Sequence, residues 1–231
     1  MAEITVVTFN IRHGQGMNGK VDLAKTAQVL ARCQADIICL QEVDRGRMRS
    51  GFQDQAARLA DTLQYQHVFG PVPNDRSQSY GNAILFRHKM LQQNNYPLPA
   101  EVPERAMLSI ELEIGAQNLV LFNTHLGLNR RLRSEQIEQF IIPLMNRIGL
   151  PAILCGDFNE SPEDEGAARL LQCWQDSFVA NRTPICCSYP ADHPRQRLDY
   201  ILCNQFCQVR EYASVESLAS DHRPVLARIA F

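Results

Sequence analysis

The sequence lacks the features that mark several classes of protein. Among 231 residues, 23 Lys and Arg nearly balance 25 Asp and Glu, which gives a formal net charge of -2 at pH 7. A protein that neutralises the phosphates of a long duplex usually carries an excess of basic residues, so general duplex binding is not indicated. Aromatic residues make up only 7% and are not interleaved with basic ones. The sequence therefore offers no evident platform for stacking single-stranded bases.

Membrane and secretion signals are also lacking. No apolar run approaches the roughly 20 residues that a helix needs to cross a bilayer. The chain begins at once with the strand-like residues 4–9, which leaves no room for the charged region and apolar core of a secretory signal. These features predict a protein without stable membrane insertion and with a cytoplasmic location.

Cysteine is present eight times, but never as a Cys-x-x-Cys pair, so neither a redox pair nor a zinc knuckle is indicated. Several cysteines, such as Cys39 and Cys155, lie within apolar runs, which predicts buried free thiols in a reducing compartment. The alternative of a thiol-based redox or zinc protein rests on cysteine number alone. It predicts an activity or stability that changes with reductant or zinc chelation.

Apolar periodicity alternates between helix and strand over the whole chain. Strand-like residues 3–9, a helical pattern beginning at Leu23 and a second apolar strand at 36–40 form a βαβ-like opening. The remaining predicted helices are 54–64, 130–147 and 164–173, and the remaining predicted strands are 66–70, 80–86, 108–114, 118–124, 152–155, 197–203, 207–213 and 225–231. Polar residues alternate along 108–114, which predicts a sheet with one wetter face. With no linker or repeat, the pattern predicts one α/β domain over 1–231, built of two packed mixed β-sheets with helices on their outer faces.

Polar residues follow the ends of these apolar strands, where side chains leave the sheet and converge on a cleft. They are Asn10, Glu42, Asn123, His125, Asp157, Asn159, Asp199, Asp221 and His222. Carboxylate and amide oxygens suit Mg²⁺ or Mn²⁺ better than Zn²⁺. A hard divalent ion beside a carboxylate base and a histidine indicates hydrolysis of a phosphoester.

Six motifs carry a resemblance to a known family. They are Thr8-Phe9-Asn10, Leu40-Gln41-Glu42, Asn123-Thr124-His125-Leu126, Gly156-Asp157-Phe158-Asn159, Leu198-Asp199-Tyr200-Ile201 and Ser220-Asp221-His222. In this order they resemble the endonuclease/exonuclease/phosphatase (DNase I-like) superfamily, in a short bacterial-type form. The resemblance implies a four-layer α/β sandwich with the active site at one edge of the two sheets.

The resemblance also implies roles for single residues. Glu42 would be the principal metal ligand, with Asn10 and Asp221 close to the ion. Asp157 would be the general base, and Asn159 would hold the attacking water or a phosphate oxygen.

The histidines and three further residues would handle the substrate. His222 would contact the phosphoryl group with Asp199 fixing its tautomer, and His125 would lie opposite as a donor or leaving-group acid. The substrate-binding residues implied are Arg105, Asn82 and Asn123.

Each of these residues also has a structural explanation when taken alone. Asn10 and Asn159 are common in turns and caps, and Asp157 after Gly156 suits an Asx-turn. The order of all six motifs argues against such independent uses. One position departs from the pattern of some nucleases, which place an Asp two residues after the first Asn, where this chain has Arg12.

The predicted substrate is a small phosphomonoester or phosphodiester, or a lipid or sugar head group, because the pI is near 6.3 and the loops are short. Nuclease activity on DNA or RNA is the alternative. Arg45, Arg47 and Arg49 alternate in one loop, which leaves open a local basic patch for nucleic acid. A solvated loop explains the same three arginines equally well. A non-catalytic binding protein of the same fold is disfavoured by the completeness of the site, and the sequence is silent on oligomeric state.

Overall fold

Twelve strands form two six-stranded mixed sheets in the computed structural model, which describes residues 1–73, 79–99, 104–181 and 187–231. The strands are β1 (Glu3–Asn10), β2 (Ile37–Arg45), β3 (Gln66–Pro71), β4 (Ser79–Phe86), β5 (Lys89–Leu98), β6 (Arg105–Ile114), β7 (Gln117–His125), β8 (Ala152–Asp157), β9 (Gln175–Asp176), β10 (Asp199–Cys203), β11 (Gln208–Ser214) and β12 (Val225–Ala230). The first sheet has the order β11-β12-β1-β2-β4-β3, and the second has the order β5-β6-β7-β8-β10-β9.

Each sheet contains one parallel pair near its centre, and the other pairs are antiparallel. β1 pairs with β2 in the first sheet, and β7 pairs with β8 in the second. The carboxyl ends of such paired strands meet at one edge of a sheet, so the polar residues that follow them are brought together.

Helices cover the outer face of each sheet. They are α1 (Leu23–Cys33), α2 (Gln55–Leu63), α3 (Arg130–Glu135), α4 (Ile142–Met145), α5 (Glu165–Cys173) and α6 (Ser177–Asn181). Asp22 and Asp54 cap α1 and α2 by accepting hydrogen bonds from backbone N–H groups of the first turn. α1 and α2 pack on the first sheet, and α4 and α5 pack on the second together with Ile137 and Ile141.

The main core lies between the two sheets and is built of alternate apolar residues of the strands. Ile84 and Leu121 are fully buried there, as is the inward-facing thiol of Cys155. Together with the two helical layers this gives the four-layer α/β sandwich, so the predicted fold class is confirmed.

Three local predictions differ from the structure. The polar strand β5 was not predicted, because an exposed edge strand carries no apolar alternation. The predicted helix 130–147 is interrupted by a π-helical stretch at Gln136–Ile141. The face of β6 that was predicted to be solvent-exposed is exposed only near the end of the strand, since Ser109 is buried and Glu113 is exposed.

The described cysteines are all free thiols, and Cys33, Cys39, Cys155, Cys203 and Cys207 are buried. Cys173 is exposed and Cys187 is partly buried, whereas Cys186 lies outside the described residues. Among residues the structure describes, no helix is both long and apolar enough to cross a membrane.

Candidate active site

A cleft of about 760 Å³ opens at the edge where the strand ends meet. Most of the predicted site residues line it: Asn10, Glu42, Arg105, His125, Asp157, Asn159, Asp221 and His222. The structure therefore brings together residues that are up to 212 positions apart in the chain, as from Asn10 to His222. A cleft of this size is typical of a site for a small ligand.

Asp157 lies at the centre of the cleft wall and is almost fully buried. It ends β8, where its neighbours across the sheet are His125 on β7 and Asp199 on β10. Gly156 precedes it with a φ of +144°, and an added Cβ there would lie 1.9 Å from the carbonyl oxygen of Thr124. Only glycine fits this close backbone approach, which sets the position of the Asp157 carboxylate.

Asn10 joins the two sheets at this edge. Its Nδ2 donates to Asp157 Oδ2 at 2.9 Å and to Glu42 Oε1 at 3.2 Å. Its Oδ1 accepts a hydrogen bond from the backbone N–H of Arg12 at 3.0 Å. The amide nitrogen of Asn10 thus faces the two carboxylates, so direct metal ligation by Oδ1 next to Glu42 requires the amide to turn over.

Glu42 interrupts the regular pairing of β2 with β4. It has a left-handed φ of 57°, and the register shifts between Leu40 and Val43. Such a bulge redirects a side chain, here toward the cleft. Burial raises the pKa of Glu42, and the charges of Asp157 and Asp221 raise it further, against the lowering effect of the Asn10 hydrogen bond.

Asp221 contributes a second, more exposed carboxylate. Its Oδ2 lies 3.5 Å from Arg12 Nε, and its Oδ1 lies 3.2 Å from the Ser220 Oγ. The Ser220 hydroxyl donates its hydrogen to the carbonyl of Asn10 at 2.7 Å, which ties this loop to the end of β1. Arg12, which marked the departure from the nuclease pattern, therefore pairs with one of the predicted metal residues.

His222 is placed between two carboxylates. Its Nδ1 lies 2.8 Å from Asp199 Oδ2, and its Nε2 lies 3.6 Å from Asp157 Oδ2. Burial alone would lower its pKa, but the charges of Asp199 and Asp157 and the Asp199 hydrogen bond outweigh burial and raise the pKa to about 10. His222 is therefore an imidazolium at neutral pH.

His125 has the opposite electrostatic state. Its Nε2 lies 3.5 Å from Asp157 Oδ2, and the side chain is buried. Burial lowers its pKa to about 3, because the attraction of Asp157 is too weak to compensate and Arg105 lowers the pKa further. A neutral imidazole at pH 7 suits a hydrogen-bond donor better than a leaving-group acid.

Asn159 and Arg105 meet at the loop that follows β7. Asn159 Nδ2 donates to the carbonyl of Leu126 at 2.9 Å, and Arg105 Nε donates to the same carbonyl at 3.0 Å. The backbone N–H of Asn159 donates to Asp157 Oδ1 at 2.9 Å. These bonds hold both residues in the cleft wall while the Asn159 Oδ1 faces no protein donor within the described residues.

Two predicted substrate-binding residues, Asn123 and Asn82, are not among the residues that line the cleft. Asn123 is fully buried; its Nδ2 donates to the carbonyls of Leu40 and Ala83, and its Oδ1 accepts from Gln41 Nε2 at 2.7 Å. Asn82 is also buried, with its Nδ2 donating to the carbonyl of Ala106 at 2.8 Å. Both amides join the two sheets, since buried polar groups bind each other where water is excluded.

Several cleft residues were absent from the sequence prediction. Arg47, Arg49 and Tyr80 line the cleft, and Tyr189 packs on His222 with ring centroids 4.9 Å apart. The alternation of arginines after β2 was the available signal for the first two. Nothing in the local sequence signals Tyr189.

The donors present fit a hard divalent cation. The charges of Asp157 and Asp221 oppose the ionisation of Glu42 and raise its pKa, and a divalent cation bound beside Glu42 would relieve that repulsion. Asp157, Asp199 and His222 also place ligand atoms within 4.8 Å of one another. That group is the poorer candidate, because a cation there would have to displace the proton that His222 shares with Asp199.

The chain is similar to known proteins in both its sequence and its fold. The model of a family described as "Endonuclease/Exonuclease/phosphatase family" matches residues 7–222. Nocturnin from Rattus norvegicus is 30% identical over 152 residues, which cover 57% of this chain and 34% of nocturnin. The chain thus corresponds to about a third of the length of that curated relative.

Two solved structures share the fold over nearly all of the chain. An endonuclease/exonuclease/phosphatase from Beutenbergia cavernae has a TM-score of 0.81 at 21% identity, over 99% of this chain and 72% of that one. A mannosyl-6-phosphatase from Bacteroides thetaiotaomicron has a TM-score of 0.80 at 18% identity, over 99% of this chain and 100% of that one.

Proposed function

The chain belongs to the endonuclease/exonuclease/phosphatase family, whose members are hydrolases of phosphoester bonds, and from this premise we propose that it is a Mg²⁺- or Mn²⁺-dependent hydrolase of a small phosphoester. The observation that carries the proposal is the environment of Asp157. This carboxylate lies within 3.6 Å of the imidazole nitrogens of His125 and His222 and accepts a hydrogen bond from Asn10, beside Glu42. Such a carboxylate is in place to take a proton from water that attacks phosphorus.

In the proposed reaction, Asp157 accepts the proton of a water molecule as the water oxygen attacks phosphorus and the ester P–O bond breaks. Asn10 and the backbone N–H of Asn159 hold the carboxylate in place. The Asn159 Oδ1 accepts a hydrogen bond from the same water and so orients it.

The two histidines act on the phosphoryl group in different ways. His222, held as an imidazolium by Asp199, binds a phosphoryl oxygen and stabilises the charge that develops on it. His125, neutral at pH 7, donates a hydrogen bond from the other side. Arg105 adds a fixed positive charge to the cleft wall.

Glu42 and Asp221 would hold the divalent cation, and Asn10 would lie close to the ion or its waters. The ion, when bound, polarises the phosphoryl group and stabilises the leaving oxygen. The oxygen-rich donor set supports Mg²⁺ or Mn²⁺ rather than Zn²⁺.

The proposed substrate is small, or is a lipid or sugar head group. The near-neutral charge of the chain and the moderate size of the cleft support this choice. The phosphatase activity named for the relative from Bacteroides thetaiotaomicron supports a sugar phosphate among the candidates. The alternative of a DNA or RNA nuclease predicts affinity that falls steeply with salt, because phosphate contacts release counterions. A cytoplasmic location stays a prediction.

Hydrolysis of two chromogenic aryl phosphates tests the proposal. 4-Nitrophenyl phosphate and bis(4-nitrophenyl) phosphate are supplied to the purified protein with Mg²⁺, with Mn²⁺ and with EDTA. Metal-dependent release of nitrophenol is expected, with kcat lower by about 10²–10⁴ in Asp157→Asn. Asp61→Asn on the exposed face of α2 is the matched control and keeps wild-type activity.

The outcome also decides between the substrate classes. Preference for the monoester indicates a phosphatase, and preference for the diester directs the search to lipid and nucleic acid diesters. Turnover that persists in EDTA, or an Asp157→Asn variant as active as Asp61→Asn, would contradict the proposed mechanism.

A further inference from the structure

The turn that follows β1 holds two side-chain-bearing residues in a conformation that is usually left to glycine. Arg12 and His13 both have a left-handed φ of 45°, and Gly14 after them has a φ of 78°. This region is unfavourable for other residues, because the Cβ comes too close to the backbone. Such strain is concentrated at functional sites, so the conformation points to a role for this turn.

Hydrogen bonds hold the turn in its strained conformation. The Gln15 N–H donates to the carbonyl of Arg12 at 2.8 Å. The buried Gln55 at the start of α2 donates from its Nε2 to the carbonyl of His13 at 2.7 Å. The backbone of Arg12 is therefore fixed, and its side chain starts from a defined position at the end of β1.

Arg12 contacts two of the residues that would surround the divalent cation. Its backbone N–H donates to Asn10 Oδ1 at 3.0 Å, and its Nε lies 3.5 Å from Asp221 Oδ2. Among the residues that the structure describes, Arg12 is the only basic residue within 4.0 Å of the Asp221 carboxylate. A carboxylate oxygen proposed to bind the cation thus faces a guanidinium group.

The ion pair of Arg12 and Asp221 can open without disturbing the core. The two side chains are 40% and 24% exposed. An ion pair between groups that are this exposed is weak, because water and salt screen it. A divalent cation has twice the charge of a guanidinium and prefers carboxylate oxygens as ligands. Asp221 can therefore exchange one positive partner for the other.

Asp221 stays close to the proposed cation site whether or not it pairs with Arg12. The Ser220 hydroxyl donates to the carbonyl of Asn10 at 2.7 Å, which anchors the neighbouring residue at the end of β1. Burial is the largest cause of the raised pKa of Glu42, and the charge of Asp221 raises that pKa further. The two carboxylates are therefore near enough for their charges to interact, and one cation would serve both.

Resting on the proposed function, we propose that Arg12 is a positioning residue that sets the affinity for the divalent cation by competing with it for Asp221. The guanidinium pairs with the carboxylate and is released when the carboxylate turns to the cation. At the position where some nucleases have an Asp, this chain thus carries a group that opposes cation binding. The strained turn keeps this group beside Asp221.

Binding of Mn²⁺ to the whole chain tests the proposal without requiring turnover. The electron paramagnetic resonance signal of free Mn²⁺ gives the dissociation constant for wild type, Arg12→Gln and Arg58→Gln, the last being a charge-matched control on the exposed surface of α2. Glutamine already adopts a left-handed φ at Gln34 and Gln64, so Arg12→Gln should keep the turn. We expect it to bind Mn²⁺ about fivefold more tightly than wild type, and Arg58→Gln to bind as wild type does.

The nitrogen-15 NMR signal of the Arg12 Nε–H group tests the exchange of partners directly. The signal is identified by its loss in Arg12→Gln. In wild type, saturating Mg²⁺ should move it toward the position that it has in Asp221→Asn without metal, because Arg12 has lost the same carboxylate in both cases. The signal of Arg58 should stay in place. A general repulsion between charges would not make these two spectra converge.

Dissociation constants for Mn²⁺ that differ less than twofold between wild type and Arg12→Gln would overturn the inference. So would an Arg12 signal that stays in place when Mg²⁺ binds, or an equal gain of affinity in Arg58→Gln. A lack of Mn²⁺ binding in wild type and Arg12→Gln alike would contradict the proposed cation site itself, and the inference with it. Failure of the proposed function and failure of the competition alone thus give different results.

Discussion

At the residue scale, the site depends on opposite protonation states of two histidines around one carboxylate. His222 is charged because Asp199 and Asp157 outweigh its burial, whereas His125 is neutral because burial dominates. The sequence motifs were sufficient to predict both histidines as site residues. They were not sufficient to predict the protonation states, because these depend on burial and on partners from other strands.

Glu42 and Asp157 should be separable by metal titration. Replacing Glu42 by Gln removes a charged ligand but leaves the base, so we expect the Mg²⁺ concentration for half-maximal activity to rise about 10- to 100-fold, with much of kcat restored at high Mg²⁺. Asp157→Asn should stay inactive at every metal concentration, because the proton acceptor is lost. The measurement is aryl phosphate turnover over a Mg²⁺ series; identical metal curves for wild type and Glu42→Gln would refute the ligand assignment.

Gly156 should tolerate no side chain. An added Cβ would lie 1.9 Å from the Thr124 carbonyl oxygen. Thr124 and Gly156 are paired residues of β7 and β8, so their backbones cannot move apart without breaking the sheet. We expect Gly156→Ala to lose more than about 4 kcal/mol of unfolding free energy, or not to fold. Gly115→Ala is the control: its φ is +63° but the space around it is open, so only about 1–2 kcal/mol is expected. Urea denaturation measures both, and equal losses would show that the close approach at Gly156 is unimportant.

At the element scale, the strands that carry the site were more predictable than their surroundings. β1, β7 and β8 have mostly buried apolar runs that end in polar residues. The edge strand β5 has no such run. The π-helical stretch after α3 was equally hidden, because its apolar periodicity matches that of an ordinary helix.

A buried ion pair between α3 and the segment before α5 holds the loop at residues 126–128, which lies beside the cleft. Arg133 Nε lies 2.9 Å from Glu160 Oε1, and Arg133 Nη1 donates to the carbonyls of Gly127 and Leu128. Glu160 Oε2 accepts the backbone N–H of Ala167 in the first turn of α5 at 2.7 Å. One carboxylate and one guanidinium thus join two helices to the loop that carries Leu126 and Leu128.

Breaking this pair should cost far more stability than breaking an exposed one. Glu160→Gln leaves the buried Arg133 charge without its counter-charge, so we expect a loss of about 3 kcal/mol in unfolding free energy. Glu138→Gln breaks the Arg169 pair, which is half exposed, and should cost less than about 1 kcal/mol. Both are measured by urea denaturation. A Glu160→Gln loss no larger than that of Glu138→Gln would contradict the structural role given to the pair.

At the scale of the whole molecule, the order of the motifs was sufficient to predict the four-layer sandwich, although it was insufficient for the substrate side of the cleft. Asn123 lies in one of the six motifs and Asn82 is a predicted substrate-binding residue, yet both side chains join the two sheets. Arg47 and Tyr80 line the cleft although neither was predicted as a site residue. A strand end shows that a side chain leaves the sheet. It does not show whether that side chain turns toward the cleft or into the space between the sheets. That the whole chain is one domain stays a prediction.

The stability of the whole molecule should fall in acid because of His125. Its pKa is about 3 in the folded protein and 6.5 as the ordinary value, so between these limits the unfolded chain binds more protons. The contribution of His125 to the free energy of unfolding therefore falls by about 1.4 kcal/mol per pH unit as the pH falls below 6.5. Glu42 and His222, whose pKa values are raised, act in the opposite direction, but their effects are common to wild type and variant.

Comparison of wild type with His125→Gln isolates that contribution. Because glutamine does not titrate, the stability of the variant relative to wild type should improve by about 2 kcal/mol between pH 7.5 and pH 5.0. Urea denaturation at the two pH values in EDTA measures this difference without interference from metal binding. The same change at the exposed His67 is the control and should leave the pH dependence as in wild type. A difference between His125→Gln and wild type that is equal at both pH values would mean that folding does not lower the pKa of His125 and would contradict the prediction. If the variant instead lost stability relative to wild type as the pH fell, His125 would be protonated in the folded cleft, and a role as leaving-group acid would be favoured over that of a neutral donor.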